Sequence, residues 1–278
     1  MKNSKLIKCA LVYDFDGTLA EGNCVEHGVV PSLKINKEEF WKEVKKRSKS
    51  DDGDEILSYL GRLSEIADEK NSCELSEENL KKHGASIPLF PGVESWFDRI
   101  NEYGKQHGLY IYHYIISSGL EAMIKGTKIG DKFRKIFACK YHYGKDNLKP
   151  KWAAQAINYT TKTQFLFRVN KGIDNSWDNP SVNKFIELHE REIPFQRMIY
   201  FGDGDTDIPS MKMVIYQGGF SLAVFDKDKW EEETTQSKVE KLISEERSSY
   251  VVPADYREAS QLDVTVKGLL QLFKRRKI

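Results

Sequence analysis

Three apolar runs stand out along the chain, each closed by small or acidic residues: Ala10-Leu11-Val12-Tyr13, residues 108–116, and Arg197-Met198-Ile199-Tyr200-Phe201. Runs this rich in aromatic and β-branched side chains predict central parallel strands covered on both faces. Their carboxyl ends lead, in that order, into Asp14-Phe15-Asp16-Gly17-Thr18, Ser117-Ser118-Gly119 and Gly202-Asp203-Gly204-Asp205-Thr206-Asp207. Elsewhere apolar residues recur every three or four positions, the spacing of amphipathic helices. Residues 21–85 read that way throughout, with Phe40, Trp41 and Val44 on one helix and Ile56, Leu60, Leu63 and Ala67 on a second. A third opens with the cap Ser76-Glu77-Glu78-Asn79. They predict a helical cap over residues 21–85, inserted after the first strand of a main domain made of residues 1–20 and 86–278.

Within the main domain, helices are expected at about residues 91–107, from Leu120, and from Pro150 through Ile157, where Pro150 suits a first helical turn. Residues 164–169 read as an added edge strand or hairpin and 181–190 as a helix. Strands at 135–139, 220–225 and 250–252, a short helix from Ile208, and helices at 229–245 and 260–273 complete the pattern. Repeated strand and helix pairs imply an α/β fold, a doubly wound, Rossmann-like parallel sheet with helices on both faces. Ligands in such sheets gather at the carboxyl ends of strands, where Asp14, Ser117 and Asp203 all sit.

Composition narrows the function without choosing it. The 278 residues suffice for one large domain or a core with a smaller module. Forty-three basic against 42 acidic side chains leave a formal charge of +1, which recommends no polyanion as partner. The basic stretch Lys274-Arg275-Arg276-Lys277 is explained by a solvated helix end rather than by nucleic acid. Cys9, Cys24, Cys73 and Cys139 show no CxxC spacing, and no secretory or membrane-spanning segment is evident. The expectation is a cytoplasmic protein with free thiols, a monomer or homodimer, acting on a small molecule.

Two carboxylates closing a buried strand are costly without a compensating cation. Magnesium takes oxygen ligands and keeps several waters, so Asp14, the main-chain carbonyl of Asp16 and Asp203 would supply enough of its shell beside a substrate phosphate. Phosphoryl transfer also needs an in-line nucleophile and a proton for the leaving group. Asp14 can attack, Asp16 can protonate the departing alcohol and later take a proton from water, and Ser117 can donate to a phosphoryl oxygen.

These residues carry a resemblance to the haloacid dehalogenase superfamily, in its phosphatase branch. Asp14-Phe15-Asp16-Gly17-Thr18, Ser117 after a hydrophobic strand, a lysine ahead of the last acidic strand, and Gly202 through Asp207 match in order. The resemblance implies a magnesium-dependent phosphatase working through an aspartyl-phosphate. Asp14 would be nucleophile and Asp16 general acid and base, with Ser117 and a lysine as phosphate clamp. Asp203 would be a metal ligand, with Asp207 orienting the metal's waters or the lysine. Lys184, in the helix feeding the Asp203 strand, is the first choice for the clamp; Lys171, beside Gly172, is the other. A second aspartate favours phosphate esters over halides, because an alkoxide leaving group needs a proton. A cap here goes with small soluble substrates, and the spacing from Phe90-Pro91-Gly92-Val93 to Ser117 is similar to the phosphoserine phosphatase branch. A non-catalytic binding protein on the same fold and a phosphotransferase using the same intermediate are the competing functions.

Overall fold

The structure is a computed structural model that describes residues 6–145 and 147–276. Lys277, in the basic stretch, and the first five residues lie outside the described residues, as does the side chain of Asp205. Among the described residues seven strands form one sheet: β1 (Ile7–Tyr13), β2 (Leu109–Leu120), β3 (Lys135–Tyr143), β4 (Pro150–Gln155), β5 (Met198–Gly202), β6 (Phe220–Phe225) and β7 (Tyr250–Pro253). Their order is β4-β3-β2-β1-β5-β6-β7, parallel throughout except that β4 runs against β3. This is the α/β fold that the apolar runs predict. β1 is central: Tyr13 is level with Ile115 of β2 on one side and Phe201 of β5 on the other. The chain builds outward from β1 in one direction and then returns to build in the other, so the crevice at its carboxyl end is the switch point where such sheets bind ligands.

Between β1 and β2 the chain is helical from Cys24 to Gly84, its longer helices being Lys37–Ser50, Glu55–Glu69 and Glu77–Gly84. Asn36, Asp54 and Ser76 cap these three, each side chain accepting from a backbone N–H in the first turn. Leu60, Leu63 and Leu80 pack into the same apolar core as the strands. Tyr59 donates its hydroxyl to the Ser118 carbonyl at 2.8 Å, Tyr141 of β3 to Leu60 at 2.7 Å and Tyr143 to Leu75 at 2.9 Å.

Three local expectations fail, for identifiable reasons. Residues 150–155, expected as a helix, pair with β3 as the antiparallel strand β4, where Trp152 stacks on His142 of the neighbouring strand at 4.1 Å between centroids. Residues 164–169, expected as a strand, lie in the helix Thr161–Lys171. Lys162, Phe165, Leu166 and Val169 share its buried face, a spacing of i, i+3, i+4, i+7, and Gly172 ends it at φ +71°. The helix expected over 181–190 covers only Asn179–Asn183, after which Lys184 is extended and Phe185 is exposed. Among the described residues no helix is long and apolar enough to cross a membrane.

Candidate active site

Asp14 leaves the end of β1 with its N–H donating to the Phe201 carbonyl at 2.8 Å, so β5 still holds the chain as it enters the crevice. Gly17 then turns it at φ +69°. A Cβ there would stand 2.5 Å from Asp203 Oδ2, so the position needs glycine both for its backbone and for the close approach of Asp203. At the tip of β2, a Cβ on Gly119 would lie 3.2 Å from Asp16 Oδ2 and 3.4 Å from Ser117 Oγ. Asp16 Oδ1 accepts the Cys24 N–H at 2.9 Å, and Ser117 Oγ accepts the Gly119 N–H at 3.0 Å.

Asp207 organises the third edge. Its Oδ1 accepts from the Tyr200 hydroxyl at 2.7 Å and from Lys162 Nζ at 2.7 Å. Its Oδ2 accepts the backbone N–H groups of Asp203 at 3.2 Å and Gly204 at 3.4 Å. Lys162 Nζ also reaches Asp14 Oδ2 at 3.0 Å, and Lys238 pairs with Asp203 Oδ2 at 3.1 Å. Asp14, Asp203 and Asp207 each place a carboxylate oxygen within 4.8 Å of the other two. Asp14, Asp16, Ser117 and Asp203 line one cavity of about 420 Å³.

The electrostatics follow from burial. Asp14 is held well above the usual carboxylate range by desolvation and by the Asp207 charge, against the pull of Lys162. Desolvation also pushes Asp16 up to about 7, despite the opposing Cys24 N–H, and raises Asp203 against the pull of Lys238. Burial alone would depress Lys162, but Asp14 and Asp207 outweigh it and keep the ammonium charged. Four carboxylates thus face two ammonium groups, and Asp14 Oδ1 is buried without a partner. An excess of carboxylates over ammonium groups and an orphaned oxygen are what a divalent, oxygen-seeking cation satisfies, so the donor set fits magnesium. Asp14 and Asp203 are the candidate direct ligands. Both oxygens of Asp207 are already engaged, which makes it the residue that positions Lys162 and the Asp203 turn.

The lysine beside Asp14 is Lys162, and this corrects the expectation of Lys184. Lys184 is exposed, and its carbonyl accepts at 2.6 Å from Nζ of Lys171, the alternative choice, which is thereby turned away from the crevice. The physical reason is the exchanged secondary structure: the helix that carries a lysine toward the crevice is Thr161–Lys171. Its signal in the sequence was a lysine on the apolar face of a helical stripe, a position where a cation persists only with buried partners. Tyr200 and Lys238 were also missed; the first looks like any core aromatic and the second like any surface-helix lysine. Arg168 is buried and donates to the carbonyls of Asn175 at 2.6 Å and Asp178 at 3.1 Å, away from the crevice chemistry. Asn23 lines the cavity, whereas His27 turns to the Glu21 carbonyl at 2.7 Å.

No family model matches the chain. Among curated proteins it is similar to an uncharacterized protein of Borreliella burgdorferi, 29% identical over 227 residues that cover 74% of this chain and 78% of that one. A substrate-bound phosphoserine phosphatase superposes with a TM-score of 0.57 at 16% identity, covering 94% of this chain and 98% of that chain. A phospho-aspartyl intermediate analogue of phosphoserine phosphatase gives 0.54 at 17% identity over 94% and 99%. A HAD-family hydrolase of Salmonella enterica serovar Typhi gives 0.53 at 16% identity over 79% of this chain, which spans 63% of that longer protein. The fold is therefore that of the haloacid dehalogenase hydrolases. The two phosphoserine phosphatase structures are matched over 98% and 99% of their own length.

Proposed function

We propose that this protein is a magnesium-dependent phosphatase that hydrolyses a small soluble phosphomonoester through an aspartyl-phosphate on Asp14. The observation that carries the reading is the state of that carboxylate. One oxygen is fixed by Lys162 at 3.0 Å, while the other is buried and unpartnered at the cavity with Asp16 and Ser117. Asp14 and Asp203 would hold magnesium, which when bound neutralises negative charge on the carboxylates and the phosphate.

The chain's own groups account for the remaining chemistry. An oxygen of Asp14 attacks phosphorus, and the ester P–O bond to the alcohol breaks. Asp16, whose pKa is pushed up to about 7, is suited to arrive protonated and give its proton to the departing oxygen. Water then attacks the phosphorus of the acyl phosphate as Asp16 takes its proton, returning the Asp14 carboxylate and free phosphate. Ser117 and Lys162 supply donors to the phosphoryl oxygens, and Asp207 with Tyr200 prevents Lys162 from drifting. The buried thiols of Cys9, Cys24 and Cys139 and the exposed thiol of Cys73 are all free, which supports action in the reducing cytoplasm; a monomer or homodimer is the state proposed with it.

Magnesium-dependent release of phosphate from an aryl phosphate tests the reading. The wild type is expected to turn over and Asp14→Asn to lose all detectable activity while keeping its circular dichroism spectrum. Equal activity in the variant would refute Asp14 as nucleophile. A wild type inert across a broad ester panel would favour a binding role for the fold.

A further inference from the structure

Beyond the phosphate end, the cavity wall contributed by the helical segment has a chemistry of its own. Trp41, Glu55, Ile56 and Tyr59 line it, with Tyr159 joining from the main domain. The polar edges of two of these rings are already engaged. Trp41 Nε1 donates to Glu26 at 2.8 Å and the Tyr59 hydroxyl donates to the Ser118 carbonyl at 2.8 Å. The two rings stand 5.8 Å apart at 57°. With those polar atoms engaged, what the two rings offer the cavity is aromatic carbon rather than a hydrogen-bonding group.

The charges on the cavity lining sort in the same direction. Lys238 is matched to Asp203 at 3.1 Å and Lys229 to Asp226 at 3.8 Å. Glu55 has no hydrogen-bond or ion-pair partner among the described residues, and no arginine lines the cavity among them. A carboxylate without a cation, set among aromatic surfaces, is the environment that binds an organic ammonium group. It is a poor one for a second carboxylate or phosphate, which would seek a guanidinium fork.

We infer that the alcohol released by this enzyme carries a positively charged nitrogen and no carboxylate, and that Glu55 with Trp41 and Tyr59 selects it. The substrate class is a phosphorylated amino alcohol. This rests on the phosphatase reading above and adds specificity to it. Phosphoserine brings a carboxylate along with its ammonium, and this wall supplies no unpaired cation to receive it. Glu55 at the first turn of a helix is also favourable to the helix itself, so the decisive evidence is discrimination between ligands rather than stability.

The experiment compares kcat/KM for phosphocholine with that for 3,3-dimethylbutyl (neohexyl) phosphate, in which carbon replaces the charged nitrogen at nearly constant shape. The wild type is expected to favour phosphocholine by about tenfold or more, the scale of a desolvated cation–π contact. Glu55→Gln is expected to bring the ratio to within about twofold of unity. Glu55→Lys is expected to invert it. Calorimetric titration of choline against neohexanol into the full chain supplies a readout that needs no turnover, and Trp41→Leu is expected to erase the preference there as well. Equal cleavage of both esters, a ratio that survives Glu55→Gln, or phosphoserine preferred over phosphocholine would overturn the inference while leaving the phosphatase intact. Discrimination for choline in a protein that cleaves no ester would instead overturn the phosphatase reading and keep the pocket.

Discussion

Removing Lys162 separates the geometry of this site from its sequence-level appearance more sharply than any other change. The side chain is fully buried between Asp14 and Asp207, so Lys162→Met keeps its length and leaves two carboxylates without their cation. Breaking a buried pair from one side costs about 3–5 kcal/mol. Unfolding entropy of about 2.1 cal/mol/K per residue over 278 residues converts that into a fall in Tm of roughly 5–9 °C. The assay is differential scanning fluorimetry in EDTA, repeated with magnesium. The loss should shrink as pH falls, because Asp14, already held high by burial, then takes a proton in place of its missing partner. Activity should fall by roughly 10²–10³, as for loss of one oxyanion donor. Lys184→Ala, at an exposed position, should move Tm by less than about 1 °C. A Lys162→Met protein that melts within about a degree of wild type at pH 8 would refute the account of Lys162 as the buried counter-ion.

Magnesium should raise Tm more at pH 8 than at pH 5.5. The folded-state pKa values of Asp14, Asp16 and Asp203 are raised, so their ionisation penalises the apo fold as pH climbs from about 4 past 7, and the cation relieves it. A gain independent of pH in the same fluorimetry would contradict this. Gly17→Ala should weaken magnesium binding measured by calorimetry at least about tenfold, because the new methyl group meets Asp203 Oδ2. Asp263 tests the core away from the site. Burial would raise its pKa, but Lys267 at 2.8 Å, the Ala259 N–H and Arg99 override that and hold it low. Its contribution is therefore present above about pH 4 and lost as pH falls through the depressed folded value. Urea titrations should show Asp263→Asn less stable than wild type at pH 7, with the difference fading toward pH 3.

The centre of the sheet was legible because its strands are buried on both faces there: Leu11, Ile115 and Tyr200 sit in runs that no helix or loop would carry. The acidic turns after β1 and β5 were legible for a related reason, since Asp14 and Asp203 interrupt apolar chain where a charge has no ordinary place. The middle of the chain was not, because local propensity there is overruled by pairing. Pro150-Lys151-Trp152-Ala153 has good helical residues, but β3 presents an open edge, and a strand against it gains a ladder of backbone hydrogen bonds. The misreading of 164–169 as a strand then hid Lys162, because reading Phe165, Phe167 and Val169 as alternation breaks the stripe that includes the lysine. Lys184 gained its apparent position from a helix that ends at Asn183.

The hydroxyls of Tyr59, Tyr141 and Tyr143 have a consequence for traffic through the crevice. Each ties the helices between β1 and β2 to strand β2 or β3, ending on a main-chain carbonyl. Swinging the helices outward alone strips all three phenol groups of their acceptors, whereas carrying the β3–β4 hairpin along spares Tyr141 and Tyr143 and loses only the Tyr59 bond to β2.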